Sequence, residues 1–208
     1  SAADVIKVDF GPHAPDPLQT GYVGFNPWGS TSSNTPTLSE QTYTNPFAIN
    51  NSLKLGVEGQ TAWADVGIIA EGSVSFGMLR NLLADGPVSN RRGTTITVTL
   101  SDLDAGQYTM STYHHVPDNY VNTTYDLKVS DTTANNRLIA SGMVSSSGTY
   151  PSSINQKTFE LLANGEDDVQ ILIGPGGNAG GNGGYSIING FDLSIQNFKV
   201  IQTGKNVN

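Results

Sequence analysis

Short segments in which side chains of opposite character alternate recur along almost the whole chain, separated by glycine, proline, asparagine and aspartate. In the segment 107–114, for example, Tyr108 and Met110 fall on one face and Thr109 and Ser111 on the other. A period of two is that of a β-strand with one buried face. Because no helical segments alternate with these strands, a parallel α/β sheet is not expected. The pattern predicts an all-β protein, an antiparallel β-sandwich or jelly roll with at most one or two short helices.

The candidate strands are short and regularly punctuated. They cover residues 5–10, 21–25, 63–70, 73–76, 95–100, 107–114, 124–130, 137–141, 156–162, 168–173, 185–188, 191–195 and 199–201. One short helix is predicted over 77–84, where Met78, Leu79, Leu82 and Leu83 would share a face. The polar stretch 31–51 is predicted to be a surface excursion, and the glycine-dense stretch 174–184 a loop. No domain boundary is evident, so residues 1–208 are predicted to form one β-sandwich domain.

Composition excludes several classes of function. The chain has 208 residues, no cysteine and a net charge of -8 at pH 7. Disulfide and thiol chemistry are therefore absent, and a negative field disfavours nucleic acid and anionic membranes as partners. No apolar run reaches the roughly 18–20 residues that span a bilayer, so no membrane insertion is expected. The polar residues are mainly hydroxyl and amide groups, which suit a neutral hydrogen-bonding partner.

Hydrogen-bonding and aromatic side chains are concentrated between the predicted strands 107–114 and 124–130. They are Tyr113, His114, His115, Asp118, Asn119 and Tyr120. Loops held on a rigid sheet are where binding residues concentrate, so we expect a site at this position. Because His114 and His115 are adjacent, a strand would point them to opposite faces, which disfavours a two-histidine metal site or catalytic dyad unless the strand has already ended there.

Several motifs resemble those of malectin-like and related galactose-binding-like β-sandwiches. They are Gly106-Gln107-Tyr108 with the strand that follows, Tyr125-Asp126-Leu127-Lys128-Val129, the opening Val8-Asp9-Phe10-Gly11 and the closing Ile188-Asn189-Gly190-Phe191-Asp192-Leu193. The middle segment 80–86 is similar to one in modules of bacterial secreted polysaccharide-degrading proteins. The resemblance implies a galactose-binding-like fold and sugar contacts near Tyr113, His114 and His115. It also implies a structural calcium ion at the sheet edge, to which Asp9 and Asp192 could contribute, although no other cofactor is required.

The aromatic residues agree with a sugar ligand. A saccharide presents hydroxyl groups and an apolar ring face that packs on aromatic rings. Trp28 lies in a turn rich in proline and glycine, Trp63 begins a predicted strand, and Arg91 adds a cation. Tyr22 and Tyr150 also lie in or beside loops. We therefore include Trp28, Trp63 and Arg91 in the predicted ligand site.

These observations favour a non-catalytic carbohydrate-binding module that recognises a polysaccharide or oligosaccharide. We expect a secreted or cell-surface monomer, tethered to a catalytic domain in its parent protein. The alternative is a polysaccharide lyase or glycoside hydrolase on a jelly-roll fold, with a base drawn from Tyr113, His114, His115 or Asp118. A further alternative is an adhesion or surface-structural module with a protein partner.

Overall fold

The computed structural model describes residues 5–11, 18–25, 38–44, 46–47, 52–59, 62–65, 79, 81–89, 94–116, 124–148, 150–176 and 186–196. These residues form fifteen strands. The strands are β1 (Val5–Phe10), β2 (Val23–Phe25), β3 (Ser39–Thr44), β4 (Ser52–Glu58), β5 (Ala62–Asp65), β6 (Asp85–Ser89), β7 (Thr94–Ser101), β8 (Gly106–Val116), β9 (Tyr125–Ser130), β10 (Arg137–Met143), β11 (Ser146–Ser147), β12 (Asn155–Ala163), β13 (Val169–Gly176), β14 (Ser186–Ile187) and β15 (Gly190–Ile195).

Two six-stranded sheets enclose the main core. In the first sheet, β12 and β11 pair with β8, and β15, β1 and β2 follow in that order. In the second sheet the order is β10-β9-β13-β7-β4-β3, and every pair is antiparallel. Only two short pairs among the described strands, β1 with β2 and β8 with β11, are parallel. The predicted antiparallel β-sandwich is confirmed.

The core is built from the inward face of each alternating strand. On β9, Tyr125, Leu127 and Val129 are buried, whereas Asp126 and Lys128 between them are partly exposed. Removing apolar surface from water stabilises a fold by roughly 25 cal/mol per Å², so this one-sided burial is the main force that joins the sheets. Strands of the first sheet contribute their own inward faces to the same cluster of buried side chains.

A small third sheet, ordered β14-β6-β5, packs Val88 and Ile187 against Val116 at the end of β8. Strand β6 directly follows a 3₁₀ helix at Leu82–Ala84. Leu82 and Leu83 are fully buried and belong to a cluster with Tyr22 and Tyr113. Because Tyr113 lies on the outer face of β8, the end of this strand is covered on both sides.

The turn before β8 explains the Gly-x-Tyr motif. The buried Tyr108 hydroxyl donates to the carbonyl oxygen of Asp104 at 2.8 Å, which ties the turn to the strand. Asp102 in the same turn has a φ of 63°, a left-handed conformation that aspartate tolerates better than most residues. In the second acidic turn, 164–167, an asparagine side chain accepts two backbone N–H groups. The Asn164 Nδ2 group also donates to Asp167 Oδ2 at 2.7 Å, which gives that carboxylate a structural role in the turn.

Strands β3, β4, β6 and β11 are absent from the sequence-based prediction, and the predicted strands over 73–76 and 199–201, with the end of the one over 63–70, lie outside the described residues. β3 lies inside the polar stretch 31–51, which the sequence predicts as a surface excursion. As an edge strand it turns Ser39, Gln41 and Tyr43 inward, so it carries little apolar signal. Gln41 Nε2 and the Tyr43 hydroxyl both donate to the carbonyl oxygen of Gly24 at 2.9 Å, which joins the edges of the two sheets.

Helix is confined to a short part of the described chain. Leu79 and Leu82–Ala84 are in 3₁₀ conformation, and Met78 lies outside the described residues. Within the described residues of 77–84, the predicted helix is therefore only a turn of 3₁₀ helix. None of the helical segments described here is long and apolar enough to cross a bilayer.

Candidate functional site

Three of the predicted site residues lie at the end of β8. This strand continues to Val116, so Tyr113, His114 and His115 belong to the strand and not to the loop after it. The exposed fraction is 4% for Tyr113 and 0% for each histidine. β11, β14 and the 3₁₀ helix contact this end of β8, which agrees with the enclosure of these side chains.

His114 faces the core between the two large sheets, where its ring lies 6.0 Å from the Tyr125 ring. Its Nδ1 is 2.7 Å from the carbonyl oxygen of Ile187, and its Nε2 is 2.8 Å from Thr112 Oγ1. Because a carbonyl oxygen can only accept, Nδ1 carries the proton and Nε2 accepts from the threonine hydroxyl. Burial lowers the pKa of His114 to about 4, so the imidazole is neutral at pH 7.

His115 points the other way, toward the segment that contains β11. Its Nε2 is 3.0 Å from the carbonyl oxygen of Gly148, and its Nδ1 is 2.9 Å from Ser146 Oγ. By the same reasoning, Nε2 donates to the carbonyl and Nδ1 accepts from the serine hydroxyl. The Gly148 N–H donates to the carbonyl oxygen of Val116 at 3.0 Å. His115 therefore ties the loop after β11 to the end of β8.

The prediction that His114 and His115 point to opposite faces is confirmed by these two sets of partners. Neither imidazole lies on an accessible surface, however, which corrects the expectation that both line the ligand site. The physical reason is that the strand runs on past the histidines, and further strands cover both of its faces. Each ring has both nitrogens engaged within the protein.

Replacing His115 with alanine is expected to lower the free energy of unfolding by about 2 kcal/mol. The change leaves the Gly148 carbonyl and the Ser146 hydroxyl without the ring and creates a cavity. Urea denaturation at pH 7 measures the effect, with the exposed Tyr150→Ala as a control that should cost little. An unchanged midpoint for the His115 variant would contradict the bracing role.

Tyr113 belongs to a hydroxyl–carboxylate cluster on the outer face of the first sheet. Its hydroxyl donates to Asp192 Oδ2 at 2.9 Å. Burial raises the pKa of Tyr113 to about 12, and burial together with Asp192 raises the pKa of Tyr22 beside it. Both hydroxyls stay protonated and act as hydrogen-bond donors, so neither is suited to be the base of a lyase.

Asp9 and Asp192, the predicted calcium ligands, lie on neighbouring strands and share the outer face. Asp9 is opposite Gly190, two residues before Asp192. Asp9 Oδ2 accepts the backbone N–H of Gln19 at 2.8 Å, and Asp192 accepts from Tyr113. Calcium requires many oxygen ligands, and the described residues contain no group of three or more acidic or histidine side chains placed to hold a metal. A calcium ion at Asp9 and Asp192 therefore stays a prediction.

The other predicted site residues stay predictions. Trp28, Arg91, Asp118, Asn119 and Tyr120 lie outside the described residues. Trp63 belongs to β5, where its backbone is opposite Pro87, but its side chain is outside the description.

Tyr150 is an exposed aromatic residue that the sequence-based site does not include. Its exposed fraction is 82%, whereas the other described tyrosines are buried or half-buried. It lies between β11 and β12, two residues after Gly148, the residue that His115 holds. The signal in the sequence is a tyrosine followed by proline in a run of serine, threonine and glycine. That signal marks a loop but does not say whether another segment covers the ring.

Comparison with known proteins gives structural likenesses only. No family model and no curated protein matches the sequence. A family 35 carbohydrate binding module from Clostridium thermocellum matches at 13% identity and a TM-score of 0.32, over 50% of this chain and 72% of the module. The plant receptor-like kinase ANX2 matches at 8% identity and a TM-score of 0.46, over 65% of this chain and 38% of that one.

A third match is the ANXUR2 extracellular domain from Arabidopsis thaliana, at 9% identity and a TM-score of 0.42, over 73% of this chain and 53% of that domain. The chain thus spans well under two thirds of both plant chains. At such identities the chemistry of the site follows from this chain's own residues.

Proposed function

We propose that this chain is a non-catalytic module that binds polysaccharide at the end of its sandwich, with Tyr150 as the stacking residue. The observation that carries the proposal is an aromatic ring that is 82% exposed on a braced loop. A ring this exposed removes little of its surface from water on folding, so it contributes little to stability and is available to stack on a ligand. A sugar ring offers the complementary apolar face, and its hydroxyls can bond to groups around it.

The loop that carries Tyr150 is held at several points. His115 binds Gly148 and Ser146, and the Ser146 hydroxyl oxygen accepts the backbone N–H of Asn155 at 3.0 Å. Asn155 Nδ2 donates to the carbonyl oxygen of Val144 at 2.8 Å. A loop that is already ordered loses little conformational entropy on binding, which favours affinity. The role that we assign to His115 is therefore to hold the loop that carries Tyr150 in place through Ser146 and Gly148.

Polar groups beside the ring complete the proposed site. Ser152 and Ser153 follow Tyr150 closely and are exposed. The segment 117–123, with Asp118, Asn119 and Tyr120, continues directly from Val116, which pairs with Ser147 of β11. The segments that follow β8 and β11 thus start from neighbouring strand ends, so we keep Asp118, Asn119 and Tyr120 in the proposed site. We also keep Trp28. Trp63 and Arg91 are further candidates for side-chain contacts.

The test is retention of the purified chain by a panel of insoluble polysaccharides and in affinity gels. We expect Tyr150→Ala to weaken binding of the retained polysaccharide about tenfold or more, which corresponds to ~1.4 kcal/mol. Tyr150→Phe keeps the apolar ring, so it should stay within about threefold of the wild type.

Leu138→Ala is the matched control, because Leu138 on β10 is also a large exposed side chain, at 55%. Its binding should equal that of the wild type. If Tyr150→Ala binds as tightly as the wild type, the proposed position of the site is wrong. If no polysaccharide retains the wild-type chain, carbohydrate binding itself is wrong. Release of sugar products by the pure chain would replace the module with the lyase or hydrolase alternative.

Secretion, a monomeric state and attachment to a polysaccharide-active enzyme are parts of the same proposal. They rest on the residues of the resemblance and on the surface chemistry of the chain. A module of this kind would keep an enzyme near an insoluble substrate, because linking two binding events raises the effective concentration of the second.

A further inference from the structure

The outer face of the second sheet has a depression around Gly56 of β4, which we call the Gly56 depression. Leu55 and Val57 point into the core, so Gly56 lies on the opposite face of the strand. The cavity has a volume of about 220 Å³. Its described lining residues lie on or directly before the four neighbouring strands β13, β7, β4 and β3, and they are Leu38, Glu40, Lys54, Gly56, Glu58, Thr99, Ser101, Asp168 and Gln170.

The register of the strands brings the lining side chains together. Along β4, Lys54 and Glu58 are the outward residues on either side of Gly56. Across the sheet, Gly56 is directly opposite Glu40 of β3 and Thr99 of β7. Opposed residues of a sheet have Cβ atoms about 5 Å apart, and successive outward residues of one strand are about 7 Å apart. Four side chains therefore surround the space that glycine leaves empty.

Further polar groups extend the Gly56 depression toward β13. Gln170 is directly opposite Thr99 on the other side of β7, and Ser101 is opposite Lys54. Asp168, which directly precedes β13, lines the same cavity. Hydroxyl and amide groups both donate and accept hydrogen bonds, whereas an ionised carboxylate only accepts. The wall toward β13 can therefore bind either the hydrogen or the oxygen of a ligand hydroxyl.

The backbone of β4 does not require glycine at position 56. The φ of Gly56 lies outside the left-handed region, and β4 pairs with β3 and β7 without a bulge. A Cβ atom here would lie 3.3 Å from Leu38 Cδ1, the end of a side chain that is 56% exposed. By contrast, a Cβ atom at Gly190 would collide with the backbone carbonyl oxygen of Val8. Glycine inside a strand weakens the sheet and often marks a place where a ligand approaches the backbone.

The chemistry of the Gly56 depression suits a neutral hydroxylated ligand. Lys54 Nζ lies 3.6 Å from Glu40 Oε1, and both side chains are partly exposed, so a donor and an acceptor stand side by side. Carboxylates of Glu40, Glu58 and Asp168 outnumber the one ammonium group of the described lining, which disfavours an anion. A ligand hydroxyl that donates to a carboxylate forms a charge-assisted hydrogen bond. Leu38 offers apolar surface to the C–H groups of a sugar ring.

We propose that the Gly56 depression is a second carbohydrate site, which holds one ring of a neutral polysaccharide on the face of the sheet. The choice of a saccharide as ligand rests on the proposed function. The cavity is smaller than the roughly 300–1,000 Å³ of pockets that enclose a drug-sized ligand, so it suits a single ring of an extended chain.

The second site is distant from Tyr150. Ser101 precedes the turn into β8, which begins at Gly106, whereas the Tyr150 loop is attached at Val116, roughly 30 Å further along β8. Two sites at opposite ends of the sandwich can hold two polysaccharide chains, or distant units of one chain. Such double attachment raises the overall affinity for an insoluble polysaccharide without any new contact at either site.

The experiment titrates the full chain with the neutral probes cellohexaose, xylohexaose and mannohexaose and with the anionic probe hexagalacturonate. NMR of the backbone amides reports where each probe binds. We expect at least one neutral probe to shift the amide signals of Gly56, Thr99 and Gln170. At the same concentration, hexagalacturonate should leave these three signals unchanged, because the carboxylates around the depression repel it. The amide of Tyr150 reports the first site in the same titration.

Gly56→Val distinguishes a ligand role of this position from a structural one. Valine fills the depression and suits a strand, so the variant should unfold at the same or a higher urea concentration than the wild type. Its affinity for the neutral probe at this site should fall about tenfold or more. Thr97→Val is the matched control, because Thr97 lies on the same face of β7 but outside the cavity lining. This control and Tyr150→Ala should keep the shifts at Gly56.

The second site is refuted if no neutral probe shifts the three amides, if hexagalacturonate shifts them equally, or if a folded Gly56→Val chain binds as tightly as the wild type. A lower urea midpoint for Gly56→Val would assign the glycine to the fold and remove the argument for a ligand. Retention of polysaccharide through Tyr150 without shifts at Gly56 would leave the proposed function in place. Shifts at Gly56 together with full binding by Tyr150→Ala would remove the first site and keep the second.

Discussion

Replacing Asn189 with alanine should lower the free energy of unfolding by about 3 kcal/mol or more, from the sum of several buried polar losses. The residue is fully buried just before β15. Its Oδ1 accepts the His115 N–H at 2.6 Å, and its Nδ2 donates to the carbonyl oxygens of His115 and Asp85 at 2.9 and 2.8 Å. The side chain thus acts as a ladder partner for β8 where β15 has not yet begun.

Alanine removes the side-chain partner of three buried backbone groups and adds a cavity. Chemical denaturation at pH 7 measures the loss. Asn164→Ala is the matched control, because Asn164 uses the same amide chemistry in an exposed turn. It should cost no more than about 1 kcal/mol. A loss below about 1 kcal/mol for the Asn189 variant would mean that water or a local shift replaces the amide.

Acidification from pH 7 to pH 4 should lower the free energy of unfolding by about 3 kcal/mol through His114. Burial lowers its pKa in the folded chain to about 4, whereas the unfolded chain binds the proton near 6.5. As the pH falls below about 6.5, only the unfolded state gains the proton, so stability is lost progressively until about pH 4. The pKa of His115 is also lowered by burial, which acts in the same direction.

Other groups act in a different pH range. Burial raises the pKa of Asp131, but hydrogen bonds from Leu162 and Arg137 outweigh it, so the pKa is lowered from its ordinary value of 3.8. The contribution of Asp131 to the free energy of unfolding is therefore lost only below that value. Denaturation curves between pH 4 and pH 7, with NMR titration of the imidazole protons, measure the histidine effect. His114→Gln should be less stable at pH 7 but should flatten the dependence between pH 6.5 and pH 4. A wild type that is as stable at pH 4.5 as at pH 7 would contradict the buried neutral His114.

Strands with a clear period of two could be predicted from the sequence. In β9 every second residue is apolar, and the structure buries those residues. The edge strand β3 could not be predicted, because its inward residues are Ser39, Gln41 and Tyr43. An edge strand buries less surface than a central one, so selection for apolar residues is weak there. Its place in the sheet depends on pairing with β4, which local sequence does not record.

The candidate site was predicted only in part. The opposite orientation of His114 and His115 follows from the backbone alone, because successive residues of a strand point to opposite faces. Whether either ring reaches solvent depends on what covers β8. Its cover comes from β11, β14 and the 3₁₀ helix, which lie far from β8 in sequence or beyond the adjacent loop. The sequence at the end of β8 is therefore equally compatible with histidines that are exposed at the rim of a binding site.

The amino-acid sequence by itself determined the class of this protein and the faces of its central strands, since both depend on local alternation and on turn residues. Tertiary structure alone decided which polar and aromatic groups are available to a ligand. It buried the two histidines beneath other strands and left Tyr150 exposed on a braced loop. The physical reason is that burial and ion pairing are set by contacts between segments distant in sequence, whereas the period of a strand is set by neighbours along the chain.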